Sequence, residues 1–193
     1  MRSRVLFVLL LSATLTTRFG RAQQPPSAPA NIADSINFIW KDVQKDFISL
    51  AEAMPEDKWS FRPSGAGFKD VRTFAEQVKH VACANEAWAK QIDGQKPPER
   101  CDTGGPNPAK SKAEIVAYLR QSFTMVDTTI QQSNRDNLMQ PAPGPYWAAN
   151  RISGLMAVVW HVSDHYGQLV EYLRMNGIVP PASRSRSLLP TQG

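Results

Sequence analysis

The chain has 193 residues, which suits one domain of ordinary size, and its 22 lysines and arginines against 17 acidic residues give a formal net charge of +5. Much of this charge lies at the two ends of the chain, so residues 23–180 are close to neutral and lack the clustered basic face that nucleic-acid binding requires. The terminal positive charges belong to Arg2, Arg4, Arg18, Arg21, Arg184 and Arg186.

The first 22 residues are typical of a secretory signal peptide. Arg2 and Arg4 give a basic start, an apolar stretch follows at residues 5–15, and small residues favour cleavage after Ala22. The apolar stretch is shorter than the ~20 residues of a membrane-spanning helix. We therefore expect an exported protein, periplasmic or secreted, with no membrane span after cleavage and with a flexible Pro-rich leader at residues 23–30.

Two amphipathic helices are predicted in the first half of the chain. Apolar residues at three- and four-residue spacing predict a helix over residues 32–54, which Pro55 ends. A second helix is predicted over residues 71–92, with Asp70 as its N-cap and Gly94 just beyond its end.

Two further helices follow a long connection rich in Pro and Gly. Ser111 and Glu114 form a capping-box signature for the third helix, and residues 150–176 form the fourth, which Gly177 ends. We find no alternating β pattern and no internal repeat. The sequence predicts an all-α four-helix bundle over residues 31–180, followed by a disordered tail at residues 181–193.

The fourth helix carries two histidines within or beside its apolar stripe. His161 and His165 are four residues apart, so they differ by only ~40° around the helix and can reach the same metal ion. The metalloprotease motif with this spacing is excluded, because Val162 stands where that motif has glutamate. The alternative is a pair of structural histidines, each with its own hydrogen-bond partners.

A metal site of this kind needs a third ligand, because a catalytic zinc commonly has three protein ligands and a fourth position for water or substrate. His80 on the second helix is the only other histidine. Its periodicity places it away from the main apolar stripe, on a side with small residues such as Ala84 and Ala87. Spacing alone would not have selected it.

At this point the sequence resembles the DinB/YfiT-like family of proposed metalloenzymes. The resemblance rests on VKHVACAN around His80, on WHVSDHYGQLVEYLRMNGIVPP around His161 and His165, and on the order of the helices. It implies a four-helix bundle in which these three histidines hold a divalent metal, often zinc or nickel. Relatives are frequently homodimers, and those of known activity include thiol-dependent S-transferases and an isomerase.

Cys83 and Cys101 are the only cysteines of the chain. In an exported protein they can form a disulfide, and the alternative is a core thiol at Cys83 and an unrelated loop thiol at Cys101. Cys83 also departs from the family pattern, since relatives often have a polar residue there. A free Cys83 thiolate could reach the metal and compete for its open position.

Other polar and aromatic residues are candidates for the chemistry of the site. Asp164 lies next to the histidine pair and Glu76 lies four residues before His80, so either carboxylate is a candidate catalytic residue. For both, the alternative is a solvated surface carboxylate. The aromatic residues Tyr146, Trp147, Trp160 and Tyr166 either contact substrate or complete the core.

The function expected from the sequence is an exported, divalent-metal-dependent enzyme, hydrolase-like or transferase-like, that acts on a small-molecule substrate. Export favours hydrolysis, because low-molecular-weight thiols belong mainly to the reducing cytoplasm. The alternative is a non-catalytic module that binds a metal or ligand. A purely structural helical protein would bind no metal at all.

Overall fold

The computed structural model describes residues 29–142 and 149–184. The predicted signal peptide, most of the predicted leader, Tyr146 and Trp147 therefore lie outside the described residues. Over the described ranges the chain is all-helical, with no β-strand and one isolated bridge between Pro141 and Asn150. Its helices are α1 (Ile32–Ala53), α2 (Phe74–Ile92), α3 (Lys112–Gln131), α4 (Arg151–Met175) and the short α5 (Pro181–Arg184).

Side-chain caps fix where the long helices begin. The Asn31 side chain accepts the backbone N–H of Asp34 at the start of α1, and Ser111 and Asn150 cap α3 and α4 in the same way. Each such bond satisfies one of the amide groups that a helix start leaves without an internal partner. The predicted capping box of α3 and the predicted start of α4 are confirmed.

The predicted start of α2 is wrong by three residues. Asp70 adopts a left-handed conformation with φ of 68° and belongs to the preceding turn. The N-cap is Thr73, whose hydroxyl accepts the amide of Glu76 while the Glu76 carboxylate accepts the amide of Thr73. Because this capping box bonds both amides at once, it defines the helix start better than Asp70 could.

Of the consecutive long helices, only α2 and α3 pack closely against each other. Helices α1 and α2 each pack against both α3 and α4, so α1 and α2 lie diagonally opposite each other. The long connections predicted between α1 and α2 and between α2 and α3 make this arrangement possible. As a result α2 buries residues on several sides, and one of these sides faces α4.

The core is built from large apolar side chains of all four long helices. Trp40 and Phe47 of α1 contact Phe123 of α3, and the Trp40 indole N–H donates to Asp127 Oδ1 at 2.9 Å. Burial of each such side chain contributes roughly 1.5–3 kcal/mol. Fully buried members include Trp40, Phe47, Leu50, Phe74, Val78, Leu119, Phe123, Val158, Val162, Leu169 and Leu173.

One face of α1 and α4 remains apolar and exposed. Ile39, which the periodicity assigns to the core stripe, is 57% exposed, and Met156 and Trp160 of α4 are also exposed. The buried part of the apolar stripe on α1 is therefore narrower than the spacing of its apolar residues predicts. No helix among the described residues is both long and apolar enough to cross a bilayer.

The chain after α4 is ordered further than predicted. Asn176 and Gly177 end α4 in the expected manner, with Gly177 at φ of 72°. Residues 181–184, which we expected to begin a disordered tail, form α5 and pack against α1. The rest of the predicted tail lies outside the described residues.

Candidate metal centre

Three histidines from two helices meet at one point of the bundle. Helix α4 places His161 and His165 one turn apart, and α2 places His80 opposite them. The Nε2 atom of His161 lies 3.2 Å from Nε2 of His80 and 3.1 Å from Nε2 of His165. The ligand atoms of all three residues lie within 4.8 Å of one another.

His80 reaches this cluster because α2 is buried on more than one side. The stripe through Phe74, Val78 and Val81 packs into the core, while the side that carries His80 faces α4. A single amphipathic stripe describes a helix with one buried face. The side chain that spacing assigned away from the core is therefore the one that completes the cluster.

The outer ring nitrogens of two histidines are held by the protein. Nδ1 of His80 lies 2.6 Å from the backbone oxygen of Cys101, so His80 carries a hydrogen on Nδ1 and donates it. Its Nε2 consequently has a free lone pair that points toward His161. Nδ1 of His165 lies 2.8 Å from Nε2 of Gln77.

His161 differs from the other two histidines. Its Nδ1 atom is buried and has no hydrogen-bond partner in the described part of the chain. The polar contacts of this ring are therefore made to the imidazoles of His80 and His165 alone. A metal on Nε2 would leave Nδ1 equally unpaired, so what sets His161 apart is that its Nε2 atom lies within 3.2 Å of the Nε2 atoms of both other rings.

The histidines are neutral at physiological pH. Burial lowers the pKa of His161 to about 3 and that of His165 to about 4, and it also lowers the pKa of His80. Repulsion between the rings acts in the same direction for His161 and His165. Because a neutral imidazole is the form that binds metals, the cluster offers ligand lone pairs without prior loss of protons from cations.

The candidate carboxylate Asp164 does not contact the rings directly. Its Oδ2 accepts the side-chain amide of Gln168 at 2.8 Å, and the carbonyl oxygen of Gln168 accepts from Gln77, which contacts His165. Asp164 thus reaches the cluster through two amides. Gln77 was missed by the sequence analysis, although its position three residues before His80 places it on the same side of α2.

The candidate carboxylate Glu76 is engaged in the capping box of α2. It accepts hydrogen bonds from the backbone and hydroxyl of Thr73, and the backbone bond is the main cause of its lowered pKa. Its side chain also lines the cavity beside the histidines. Glu76 is therefore a helix cap that borders the site.

A polar cavity of about 550 Å³ lies on the other side of Gln77 and Gln168 from His165, and none of the three histidines is among its lining residues. It shares Gln77 and Gln168 with the hydrogen-bond chain of His165. Its lining carries charges of both signs, from Arg62, Arg72, Asp70, Glu76 and Asp102. The cavity is large enough for a small molecule. Trp160 and Tyr166 line separate grooves on the face of α1 and α4.

Cys83 and Cys101 form a disulfide, so Cys83 is not a thiolate ligand. Both sulfur atoms are committed to each other, and both residues are buried. Of the two alternatives for the cysteines, the paired one is confirmed. The histidine cluster is therefore left without a fourth ligand from Cys83.

Comparison with known proteins agrees with this architecture. A family model described as the DinB superfamily matches residues 39–169, which include all three histidines. The fold is similar to a crystal structure of a conserved protein from Enterococcus faecalis, with a TM-score of 0.60 at 11% sequence identity, covering 75% of this chain and 96% of that chain. The sequence matches none of the curated proteins.

Proposed function

The chain belongs to the DinB superfamily, and we propose that His80, His161 and His165 bind one divalent metal ion in an exported, metal-dependent enzyme. The observation that supports the proposal most directly is the approach of three neutral imidazoles through their Nε2 atoms. Neutral imidazoles placed this close together gain little in stability from one another, whereas a cation would bind to all three Nε2 atoms once the His165 hydrogen has moved to Nδ1.

The spacing of the nitrogens suits a first-row divalent ion. Two nitrogens bound to a tetrahedral zinc ion at ~2.0–2.1 Å from it lie ~3.3 Å apart. Two of the three separations, 3.1 and 3.2 Å, are close to that value, and the ligand atoms of the third pair, His80 and His165, lie within 4.8 Å. Imidazole ligands suit zinc and nickel alike, and we propose one of these two as the natural metal.

A bound metal would supply Lewis acidity to a substrate in the neighbouring cavity. The protein itself contributes the charged side chains that would orient a polar substrate in the cavity, namely Arg62, Arg72, Asp70 and Asp102. Asp164 acts through Gln168 on the orientation of His165, and so it serves as a positioning residue.

The reaction we propose is hydrolysis of a small polar molecule. The disulfide fits an oxidising compartment, and such a compartment disfavours a thiol-dependent transferase. Export by the predicted signal peptide belongs to the same proposal. Cleavage after Ala22 predicts a mature chain that starts at Gln23, which N-terminal sequencing of the exported protein would test.

One observation favours a second candidate function, a non-catalytic module that binds a metal or ligand. An efficient general base has a pKa near the working pH. Glu76 lines the cavity, but its pKa is lowered by the bond from Thr73, so it accepts protons poorly at neutral pH. A binding module requires no such base.

Elemental analysis of the protein purified without an affinity tag tests the metal proposal. We expect near-stoichiometric zinc or nickel in the wild type and its loss in the His161→Ala/His165→Ala double variant. A Met156→Ala/Met175→Ala variant is a matched control, because both methionines are exposed on the same helix. A wild type that remains metal-free after incubation with zinc and nickel would overturn the proposal.

The cobalt-loaded protein separates the enzyme from the binding module. An enzyme needs an exchangeable coordination position, so added azide should change the visible spectrum of the cobalt site. A closed site would show no change, and this result would favour the binding module.

A further inference from the structure

The hydrogen-bond acceptor that orients His80 is the backbone oxygen of Cys101. The loop that contains Cys101 is joined by the disulfide to α2, the helix that carries His80. His80 donates from Nδ1 to the backbone oxygen of Cys101, which is 21 residues further along the chain. Cys101 is bonded to Cys83, and Cys83 lies three residues after His80 on α2. The covalent bond and the hydrogen bond thus join the same loop residue to neighbouring positions of one helix.

The loop around Cys101 has little regular structure that could hold the carbonyl in place. It contains one short 3₁₀ helix, Cys101–Thr103, entered through Arg100 in the left-handed conformation. The Cys101 oxygen also accepts the amide of Gly104 at 3.0 Å, and Arg72 donates to the neighbouring oxygen of Asp102 at 2.9 Å. Hydrogen bonds of this kind at a surface loop open readily, whereas the disulfide does not.

Gly105 shows how closely the loop approaches the disulfide. Its φ is 68°, and a Cβ atom at this position would collide with the sulfur of Cys83. The amide of Gly105 bonds to the oxygen of Arg100 at 2.8 Å, which closes the turn around Cys101. The position of the Cys101 carbonyl therefore depends on contact between the loop and the disulfide.

We propose that the Cys83–Cys101 disulfide is a positioning element of the metal centre, because it holds the Cys101 carbonyl against Nδ1 of His80. This contact keeps the hydrogen of His80 on Nδ1 and directs the Nε2 lone pair toward His161. Acceptors of this kind fix the tautomer and orientation of a metal-ligating histidine. The effect on metal binding rests on the proposed function, whereas the tautomer of His80 does not.

The same loop forms part of the cavity wall. Asp102 and Thr103 follow Cys101 directly, and both line the 550 Å³ cavity. Loss of the disulfide would therefore release a ligand-orienting carbonyl and a wall of the substrate site together. This consequence distinguishes the proposed role from a purely stabilising cross-link.

Zinc titration against a competing chelator tests the proposal without any activity measurement. We compare oxidised, metal-free wild type with the Cys83→Ala/Cys101→Ala variant, and we expect the variant to bind zinc about 10–100-fold less tightly. Arg151→Met is the control for lost stability, because it breaks a buried ion pair near the start of α4 and should retain wild-type zinc affinity. A cysteine-free variant with wild-type affinity would overturn the proposal.

Nitrogen-15 NMR of histidine-labelled, metal-free protein tests the tautomer directly. The chain has three histidines, and we expect His80 to carry its hydrogen on Nδ1 in the wild type and to exchange between tautomers in the cysteine-free variant. A hydrogen on Nε2 of His80 in the wild type would contradict the proposal. If the wild type binds no metal, the proposed function fails, but this measurement still decides the role of the disulfide.

A second variant covers the case in which the cysteine-free protein does not fold. Gly105→Ala retains both cysteines but forces the loop away from Cys83. We expect it to weaken zinc binding and to let the His80 hydrogen exchange between Nδ1 and Nε2 while the disulfide remains formed. Wild-type zinc affinity in Gly105→Ala would show that the position of the loop is irrelevant to His80.

Discussion

The side chain of Gln77 determines which ring nitrogen of His165 is free. Gln168 donates from its NH₂ group to Asp164, so its oxygen faces Gln77 and accepts from it. Gln77 then presents its own NH₂ group to Nδ1 of His165, which leaves the His165 hydrogen on Nε2. Metal binding through Nε2 requires the His165 hydrogen on Nδ1 and a free lone pair on Nε2.

We therefore expect Gln77→Glu to strengthen metal binding. A glutamate has the same shape but can only accept, so it would draw the His165 hydrogen to Nδ1 and free Nε2 for the metal. Gln168, which now accepts from Gln77, would turn its NH₂ group from Asp164 to the new carboxylate. The expected gain in zinc affinity is about tenfold, at the lower end of effects seen for residues that orient ligands. Chelator competition measures it.

Val71→Glu is the matched control for the added charge. Val71 lines the same cavity, lies outside the loop around Cys101, and its apolar side chain makes no hydrogen bond to a histidine ring. It should change zinc affinity much less than Gln77→Glu does. Equal gains from the two variants would show that net charge, and not the direction of the hydrogen bond, governs affinity.

Arg151 anchors the start of α4 to the end of α2. Its guanidinium bonds to Asp93 at 3.0 Å, to Ser133 Oγ at 2.8 Å and to the Thr129 oxygen at 2.7 Å. Breaking a fully buried pair costs ~3–5 kcal/mol. Because the Asp93 side chain is 21% exposed, we expect Arg151→Met to lower the free energy of unfolding by about 2 kcal/mol.

Urea denaturation measures this change, with Arg120→Ala as control. Arg120 pairs with Glu52 on the surface, where both side chains are about half exposed. Surface pairs of this kind contribute about 0–1 kcal/mol. Equal losses of unfolding free energy in Arg151→Met and Arg120→Ala would mean that burial of the Arg151 hydrogen bonds and ion pair does not increase their contribution to stability.

At the scale of a helix, the capping box of α3 predicts a dependence of stability on pH. Glu114 accepts the amides of Lys110 and Ser111, and these bonds lower its pKa from 4.5 to about 2. A carboxyl group whose pKa is lowered by folding stabilises the protein above its unfolded pKa. This contribution is lost as the pH falls through about 2.

Glu114→Gln provides the comparison for this prediction. The glutamine can still cap the helix but does not titrate, so the difference in free energy of unfolding between wild type and variant should be constant near neutral pH and shrink under acidic conditions. The capping box of α2 offers the same comparison, because folding also lowers the pKa of Glu76. The difference in free energy of unfolding between wild type and Glu76→Gln should therefore also shrink under acidic conditions. A difference independent of pH would contradict the assigned cause of the lowered pKa.

The caps also explain which helix boundaries the sequence could predict. Ser111 and Asn150 each stand alone as good N-caps before an apolar run, and both predictions are confirmed. Before α2 the chain offers both Asp70 and Thr73, and only the second is followed three residues later by a glutamate that can close the box. Attention to this pattern would have corrected the boundary.

Across the whole molecule, the parts of the site that carry sequence signals were predictable and the others were not. His161 and His165 follow from helical spacing on one helix. His80 depends on the packing of α2 against α4, and the resemblance to a family suggested it where periodicity did not. The Cys101 carbonyl had no signal at all, because every residue has a backbone oxygen and only the folded loop selects one.

The disulfide should contribute strongly to the stability of the folded chain. It closes a loop with a sequence separation of 18 residues, and the chain-entropy model gives about 3 kcal/mol for a loop of this length. We expect the Cys83→Ala/Cys101→Ala variant to lose about this much in urea denaturation without metal. No measurable loss would mean that the loop is already restricted in the unfolded state.

Metal and disulfide should also stabilise the protein cooperatively if His80 depends on the Cys101 carbonyl. At a zinc concentration of about 100 times the wild-type dissociation constant, binding adds about 2.7 kcal/mol to the free energy of unfolding. A disulfide-free variant that binds zinc about 10–100-fold less tightly gains only about 0.4–1.4 kcal/mol at the same concentration.

Urea denaturation of both proteins with and without zinc measures this difference. Equal gains would mean that the two cross-links act independently, and the disulfide would then stabilise the chain without serving the site. A smaller gain in the variant requires that the disulfide change the affinity of the folded state for zinc. The hydrogen bond between His80 and Cys101 is the contact through which it can do so.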